Sequence, residues 1–142
     1  MVNIARDIRC TANFAKADFD PRDTGDGGLD LIAWHPMTDD RDGIPIAFAQ
    51  CGCSKDGWDS KQFDASPARH RNRLPTRHPW ANYYFLPVDF RRADGDWAHK
   101  SDLAEAIFVD RLRLLGLAQA YDLYAELPEM PFIASALAAH YA

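Results

Sequence analysis

From Asp23 to Gly28 the chain reads Asp-Thr-Gly-Asp-Gly-Gly, and Leu29-Asp30-Leu31-Ile32-Ala33-Trp34 follows directly. Three glycines and two aspartates suit positive φ and local side-chain bonding to the backbone, so the first stretch is a turn. The second is apolar except for Asp30 and predicts a strand. An unpaired carboxylate inside an apolar strand is costly, so this strand has to end where water or a partner reaches Asp30. A second apolar stretch, Ile44 to Cys53, has a centre, Ile46-Ala47-Phe48-Ala49, that does not alternate, as expected of a strand covered on both faces. Gln50 breaks its pattern near the far end. The polar stretch His35 to Gly43 between the two strands makes a hairpin with a long loop. That pairing brings Asp30, near the start of one strand, close to Gln50, near the end of the other.

The chain has the means to bury such a hairpin. Its 142 residues are 47% hydrophobic and 26% charged, which fits one ordinary globular domain over residues 1–142. No run of 18 apolar residues occurs, so no membrane span is expected. The N-terminus shows no secretory signal and the three cysteines make no disulfide framework, so a cytoplasmic protein is expected. The net charge of -5 argues against a non-specific coat for nucleic acid. Charge is nevertheless segregated: eight aspartates lie between Asp18 and Asp42, and Arg69, Arg71, Arg73 and Arg77 follow one another with no acid among them.

Elsewhere the pattern predicts a broken helix from Asn3 to about Ala17 and a short helix from Trp58 to about Phe63, with Asp56 as its cap. Ser66 to Pro79 is expected as a loop, and Tyr83 to Val88 as an aromatic strand ending near Pro87. Ser101, Asp102 and Glu105 suit a helix start, and Ile107, Leu112, Leu114 and Leu115 carry that helix to about Gly116. Further helical stretches are expected over 117–127 and 131–141. The sum is an α/β domain with a helical C-terminal part, 101–142.

A carboxylate and an amide oxygen converging at a water-accessible sheet end suit a hard divalent cation such as Mg²⁺. Gly25-Asp26-Gly27-Gly28-Leu29-Asp30 and Ala49-Gln50-Cys51-Gly52, in this order and spacing, resemble the core of the Mrr-type restriction endonuclease domain of the PD-(D/E)XK nuclease superfamily. The resemblance covers about residues 24–53, extends more loosely through Trp58 and Lys61 to the aromatic strand, and gives a core motif of 24–61. It implies a restriction-endonuclease-like mixed sheet flanked by helices. It also implies Mg²⁺- or Mn²⁺-dependent hydrolysis of phosphodiesters, with double-stranded DNA as substrate and a restriction or defence role. Asp30 would be the metal-binding aspartate, Gln50 would stand in for the second acidic ligand, and the carbonyl of Cys51 would complete the metal shell.

Two departures accompany it. The lysine expected two residues after Gln50 is Gly52, which leaves Lys61 and then Lys55 as candidates for its role; without either, the fold is a non-catalytic DNA- or protein-binding module. The family's N-terminal helix carries a glutamate, and no glutamate precedes residue 100. Either Asp7 replaces it, the helix is lost, or the chain is the later part of a longer nuclease.

Arg69, Arg71, Arg73 and Arg77 are the candidate DNA-phosphate contacts. An acidic chain with one basic loop is under-equipped to grip a duplex, so a homodimer or a larger assembly is expected. Cys51 and Cys53 show only a Cys-X-Cys pair, too little for zinc, and are expected as small packing residues. Most of Trp80, Tyr83, Tyr84 and Phe85 is assigned to the core. Asp110 to Arg113 is expected to pair charges on a helix surface.

Overall fold

The computed structural model describes residues 2–18, 28–54 and 56–126. Strands β1 (Leu31–Trp34), β2 (Ile46–Cys51), β3 (Ala81–Phe85) and β4 (Ile107–Val109) form one sheet in that spatial order. β1 is antiparallel to β2, whereas β3 is parallel to both β2 and β4, so the sheet is mixed. Helices α1 (Val2–Asp7), α2 (Trp58–Lys61), α3 (Pro67–His70) and α4 (Arg111–Ala120) accompany it. The mixed α/β class expected from the sequence is therefore present. No described helix is long and apolar enough to cross a membrane.

The hairpin forms as the pattern predicts, in the register Leu31 opposite Ala49 and Trp34 opposite Ile46. A connection this long does not close itself. Arg9, just past α1, donates to the carbonyl oxygens of Arg41, at 2.7 Å, and Pro36, and so ties the connection down. Gly43 supplies a left-handed turn at φ 82° before β2.

Alternation along the strands gives the sheet one covered face. Ile32, Phe48 and Asn82 share it, and there Ala5, Ile8, Ala65, Leu74 and Trp80 close over Phe48. Trp80 stacks at 4.2 Å between ring centroids on Phe48 and donates its indole N–H to Ala65 O at 2.8 Å. A second cluster, Trp58, Tyr84, Leu86, Phe90 and Phe108, covers the other end. Gln62 fastens the crossover to the later chain: its amide nitrogen donates to Asp59 O and Asp102 O, and its oxygen accepts from Ala104 N–H. The opposite face stays open at its edges, where Leu31 and Ile107 are 52% and 45% exposed.

Several boundaries differ from expectation. The N-terminal helix stops at Asp7 rather than near Ala17, and the Ser66–Pro79 loop contains α3. The short helix begins after Gly57 at φ 73°, not after Asp56. The long helix expected from Ser101 is absent; a 3-10 turn at Lys100–Asp102 leads to β4, and α4 starts only at Arg111. Parallel pairing of the β-favouring Ile107-Phe108-Val109 with Tyr83, Tyr84 and Phe85 overrides the local helix signals. The helix expected over 117–127 is the end of α4 plus a 3-10 turn at Leu123–Glu126; that over 131–141 lies outside the described residues.

Asp110 does not pair along the helix surface. It is the buried N-cap of α4, accepting from Arg113 N–H at 2.9 Å, and a bidentate partner of Arg91 at 2.8 and 3.1 Å. Burial alone would raise its pKa, but the Arg91 guanidinium and the Arg113 N–H outweigh that and hold it below the ordinary carboxylate value. Asp110→Ala is expected to lower the unfolding free energy by about 2–4 kcal/mol in urea denaturation, because it strands Arg91 and uncaps α4. Asp110→Asn, which keeps the cap, should cost less.

His70 is fully buried, with Nε2 2.6 Å from the Asp64 carbonyl oxygen. Burial lowers its pKa below 6.5, only partly opposed by that carbonyl, so the imidazole is neutral and donates from Nε2. The unfolded chain takes up this proton first. The neutral ring's share of stability is thus complete above pH 6.5 and is lost as pH falls from 6.5 toward the folded value. Urea midpoints taken on either side of that range should fall more in the wild type than in His70→Gln, which donates without titrating.

Candidate functional site

The hairpin pairing extends one residue before β1, where Asp30 N–H donates to Ala49 O at 3.1 Å. Asp30 is thus bound to the residues on either side of Gln50, Ala49 through its N–H and Cys51 through its carboxylate, and Gln50 pairs in turn with Tyr84 of β3 and Tyr84 with Phe108 of β4. Gln50, Tyr84 and Phe108 form one row across the sheet on its covered face. The row lies at the C-terminal ends of the parallel strands β2 and β3, the end at which open α/β sheets receive ligands.

Each polar group at this end of the sheet is held by its surroundings. Asp30 is exposed, and its Oδ2 accepts from Cys51 N–H at 2.6 Å. Among the described residues this is the only bond to its carboxylate. Gln50 is buried at 8% exposure; its Nε2 makes a long 3.4 Å contact with Cys51 O, and among the described residues its Oε1 has no hydrogen-bond partner. Tyr84 is fully buried, and its hydroxyl also has none.

The phenol of Tyr84 explains Gly52. A Cβ on residue 52 would lie 1.9 Å from Tyr84 Oη and 2.6 Å from Cζ, far inside contact distance. No side chain fits there, a lysine included. Burial, and then the negative fields of Asp64, Cys53, Cys51 and Asp30, raise the Tyr84 pKa, so its hydroxyl stays protonated at neutral pH.

Asp64 joins the site from the crossover. Its Cβ lies 3.1 Å from where a Cβ on Gly28 would be, so the left-handed Gly28, at φ 87°, lets it approach the start of β1. Sequence reasoning passes over Asp64 and leaves Tyr84 in the core, since no local spacing connects either residue with the hairpin. Only the glycines at 28 and 52, where a Cβ would meet Asp64 and Tyr84, mark their places.

Lys61 does not share a face with Trp58 as its spacing suggests. Trp58 is buried against Phe90 and Phe108 while Lys61 is exposed, and no described contact joins Lys61 to Asp30 or Gln50. Lys55 lies outside the described residues. Cys51 and Cys53 are exposed free thiols rather than buried packing residues. Burial, then Asp30 and Cys53, pushes the Cys51 thiol pKa up, which makes it a poor thiolate ligand.

The arginine stretch is partly engaged. Arg69 pairs with Asp64, and Arg77 pairs with Asp42 at 2.7 Å. Arg73 lends its carbonyl to Asn13 N–H at 2.9 Å. Arg71 and Arg77 line an open cleft of about 500 Å³ with His78, Trp80, Asn82 and Glu105, at the N-terminal end of β3. This cleft is at the opposite end of the strand from the row of Gln50, Tyr84 and Phe108.

Among the described residues no three His, Cys, Asp or Glu side chains are grouped to hold a metal ion. The exposed carboxylate of Asp30 and the buried amide oxygen of Gln50 are oxygen donors of the kind a hard cation such as Mg²⁺ takes. Comparison with protein-family models, with curated proteins and with solved structures finds no match to this chain.

Gly52→Ala is expected to lower stability by about 1–3 kcal/mol, the cost of forcing Tyr84 aside in a packed layer. Gly116→Ala, in the open middle of α4 with nothing within 4 Å of the new Cβ, should raise it by about 0.5–1 kcal/mol. Thermal or urea unfolding of the two variants provides the comparison.

Proposed function

We propose that the chain is a metal-dependent endonuclease with a restriction-endonuclease-like sheet, acting on double-stranded DNA in restriction or defence. The observation that carries this reading is Asp30 bound to the neighbours of Gln50, Ala49 O and Cys51 N–H, with Gln50 Oε1 buried and without a hydrogen-bond partner among the described residues. The resemblance of residues 24–53 to the Mrr-type core supplies the reaction class.

Asp30 and Gln50 would hold Mg²⁺ or Mn²⁺, which when bound supplies positive charge against phosphate oxygens and makes water easier to deprotonate. The chain's own groups prepare that role. Cys51 N–H fixes one carboxylate oxygen of Asp30, whose side chain is exposed. Burial of Gln50 removes competing water from its amide oxygen. Cys51 O, touched only weakly by Gln50 Nε2, is the remaining oxygen nearby. Lys61 and Lys55 are the cations from which a phosphate-neutralising group would be drawn. Arg71 and Arg77, with Arg69 and Arg73, would bind the phosphate backbone. Pairing with Asp42 is no obstacle for Arg77, since an exposed pair of this kind is worth about 0–1 kcal/mol. A homodimer or larger assembly would complete the grip on a duplex.

A second reading, a nuclease fold that binds DNA or protein without cutting it, is favoured by two observations. Residue 52 has no room for a lysine, and Lys61 makes no described contact with the acidic pair. Incubation of supercoiled plasmid with Mg²⁺ or Mn²⁺ separates the two. The enzyme cuts, and Asp30→Ala lowers the rate about 100-fold or more while DNA binding persists. No cutting in either metal, with salt-sensitive DNA binding retained, selects the binding module.

A further inference from the structure

Helix α4 has no buried residue along its whole length, Arg111–Ala120. Its leucines, Leu112, Leu114, Leu115 and Leu117, are 43–46% exposed, and at about 3.6 residues per turn they point to different sides of the helix. The turn after it adds Tyr121, Leu123 and Tyr124, also exposed, and Tyr124 is tied back by its hydroxyl, which donates to Leu115 O at 3.2 Å. A helix that borders water carries a polar face, whereas one that is apolar all round is covered. Single exposed leucines are ordinary; a contiguous set on one element marks a surface that another surface meets.

The charges of α4 indicate what that other surface is. A helix favours acids at its N-terminal end and bases at its C-terminal end, and the exposed charges here are the other way round. Arg111 and Arg113 stand in the first turn and Asp122 just past the last, with no acid in the first turn and no base in the last. The Asp110 cap is already matched by Arg91, and Arg113 is drawn inward, donating to Phe108 O at 2.8 Å. The Arg111 guanidinium and the Asp122 carboxylate have no hydrogen-bond or ion-pair partner among the described residues. About 16 Å of helix separates them, so they cannot meet within one chain. Against an antiparallel copy both are well placed, because Arg111 then meets the negative end of the partner's helix and the partner's Asp122. A two-fold axis makes this contact twice. The same register sets the bulky Leu115, one turn along from Arg111, against the partner's small Ala118.

We propose that α4 is the two-fold interface of a homodimer, packed antiparallel on α4 of a second copy, with leucines between the helices and Arg111 of each chain beside the partner's Asp122. No metal or DNA enters this arrangement, so it does not rest on the nuclease reading; it names the surface through which two copies join.

The test is the mass of the full chain by light scattering, with its dimer dissociation constant from sedimentation over micromolar concentrations, in the absence of metal and DNA. The wild type should show twice the 16.0 kDa of one chain. Leu115→Glu puts a good helix former at an exposed position, so far-UV circular dichroism should not change while the dissociation constant rises about 100-fold or more. Arg111→Gln and Asp122→Asn, where asparagine tolerates the left-handed φ of 53°, should each weaken the dimer about 3–10-fold, and the double variant no further, as for direct partners. A wild type that stays monomeric overturns the proposal; if Leu115→Glu then melts lower at every concentration, the cover of α4 is the chain's own residues 127–142. A dimer that Leu115→Glu leaves unchanged overturns it as well, since the interface is then elsewhere. Additive effects of Arg111→Gln and Asp122→Asn overturn the antiparallel arrangement. Should Leu115→Glu fail to fold, the two charge variants decide alone. Plasmid cutting is read separately, and neither result prejudges the other.

Discussion

β2 pairs on both sides, antiparallel to β1 and parallel to β3, and a shift of either register by one residue would send alternate side chains to the other face. Phe48 pins both registers. It is fully buried beneath Trp80 and faces Ile32 on one side and Asn82 on the other. With Phe48 inward, Gln50 must also point inward, and Tyr84 falls beside it. The polar row is thus a consequence of hydrophobic packing two residues away, and its alignment needs no bond of its own.

The same logic explains how the crossover serves the row. The chain from β2 to β3 carries Trp58 into one cluster and Ala65 and Leu74 into the other, so it is held at both ends of the covered face. Gln62 and Asn82 lie between these anchors and join the crossover to residues 102–105 through backbone carbonyls. Asp64 follows Gln62 by two residues and inherits its position from that clamp.

The hairpin was legible in the sequence because its information is local: an apolar stretch, a polar connection and a second apolar stretch ending in a misplaced glutamine. Asp30 close to Gln50 follows from that alone, but not that its N–H would bond Ala49 O. β3 was legible for a similar reason, shifted to Ala81–Phe85 with Pro87 beyond its end. The stretch after Ser101 was not. Its capping residues and leucines describe a plausible helix, and only the edge of β3 tells Ile107-Phe108-Val109 to extend instead. The buried Asp110–Arg91 pair and the Tyr84–Gly52 contact lie across long sequence separations and carry no period. At residue 52 the sequence shows only a glycine; the structure shows that Tyr84 fills the space a side chain there would take.

That occupied space makes positions 52 and 84 a single unit of inheritance. A lineage that acquired a side chain at 52 while keeping tyrosine at 84 would carry a steric overlap. One that first shortened residue 84 would carry a cavity costing about 3–5 kcal/mol, a large fraction of what a domain of this size has to lose. Neither order offers a gentle intermediate, so the two positions are expected to change together. Descendants of this chain would keep both glycine and tyrosine, or neither.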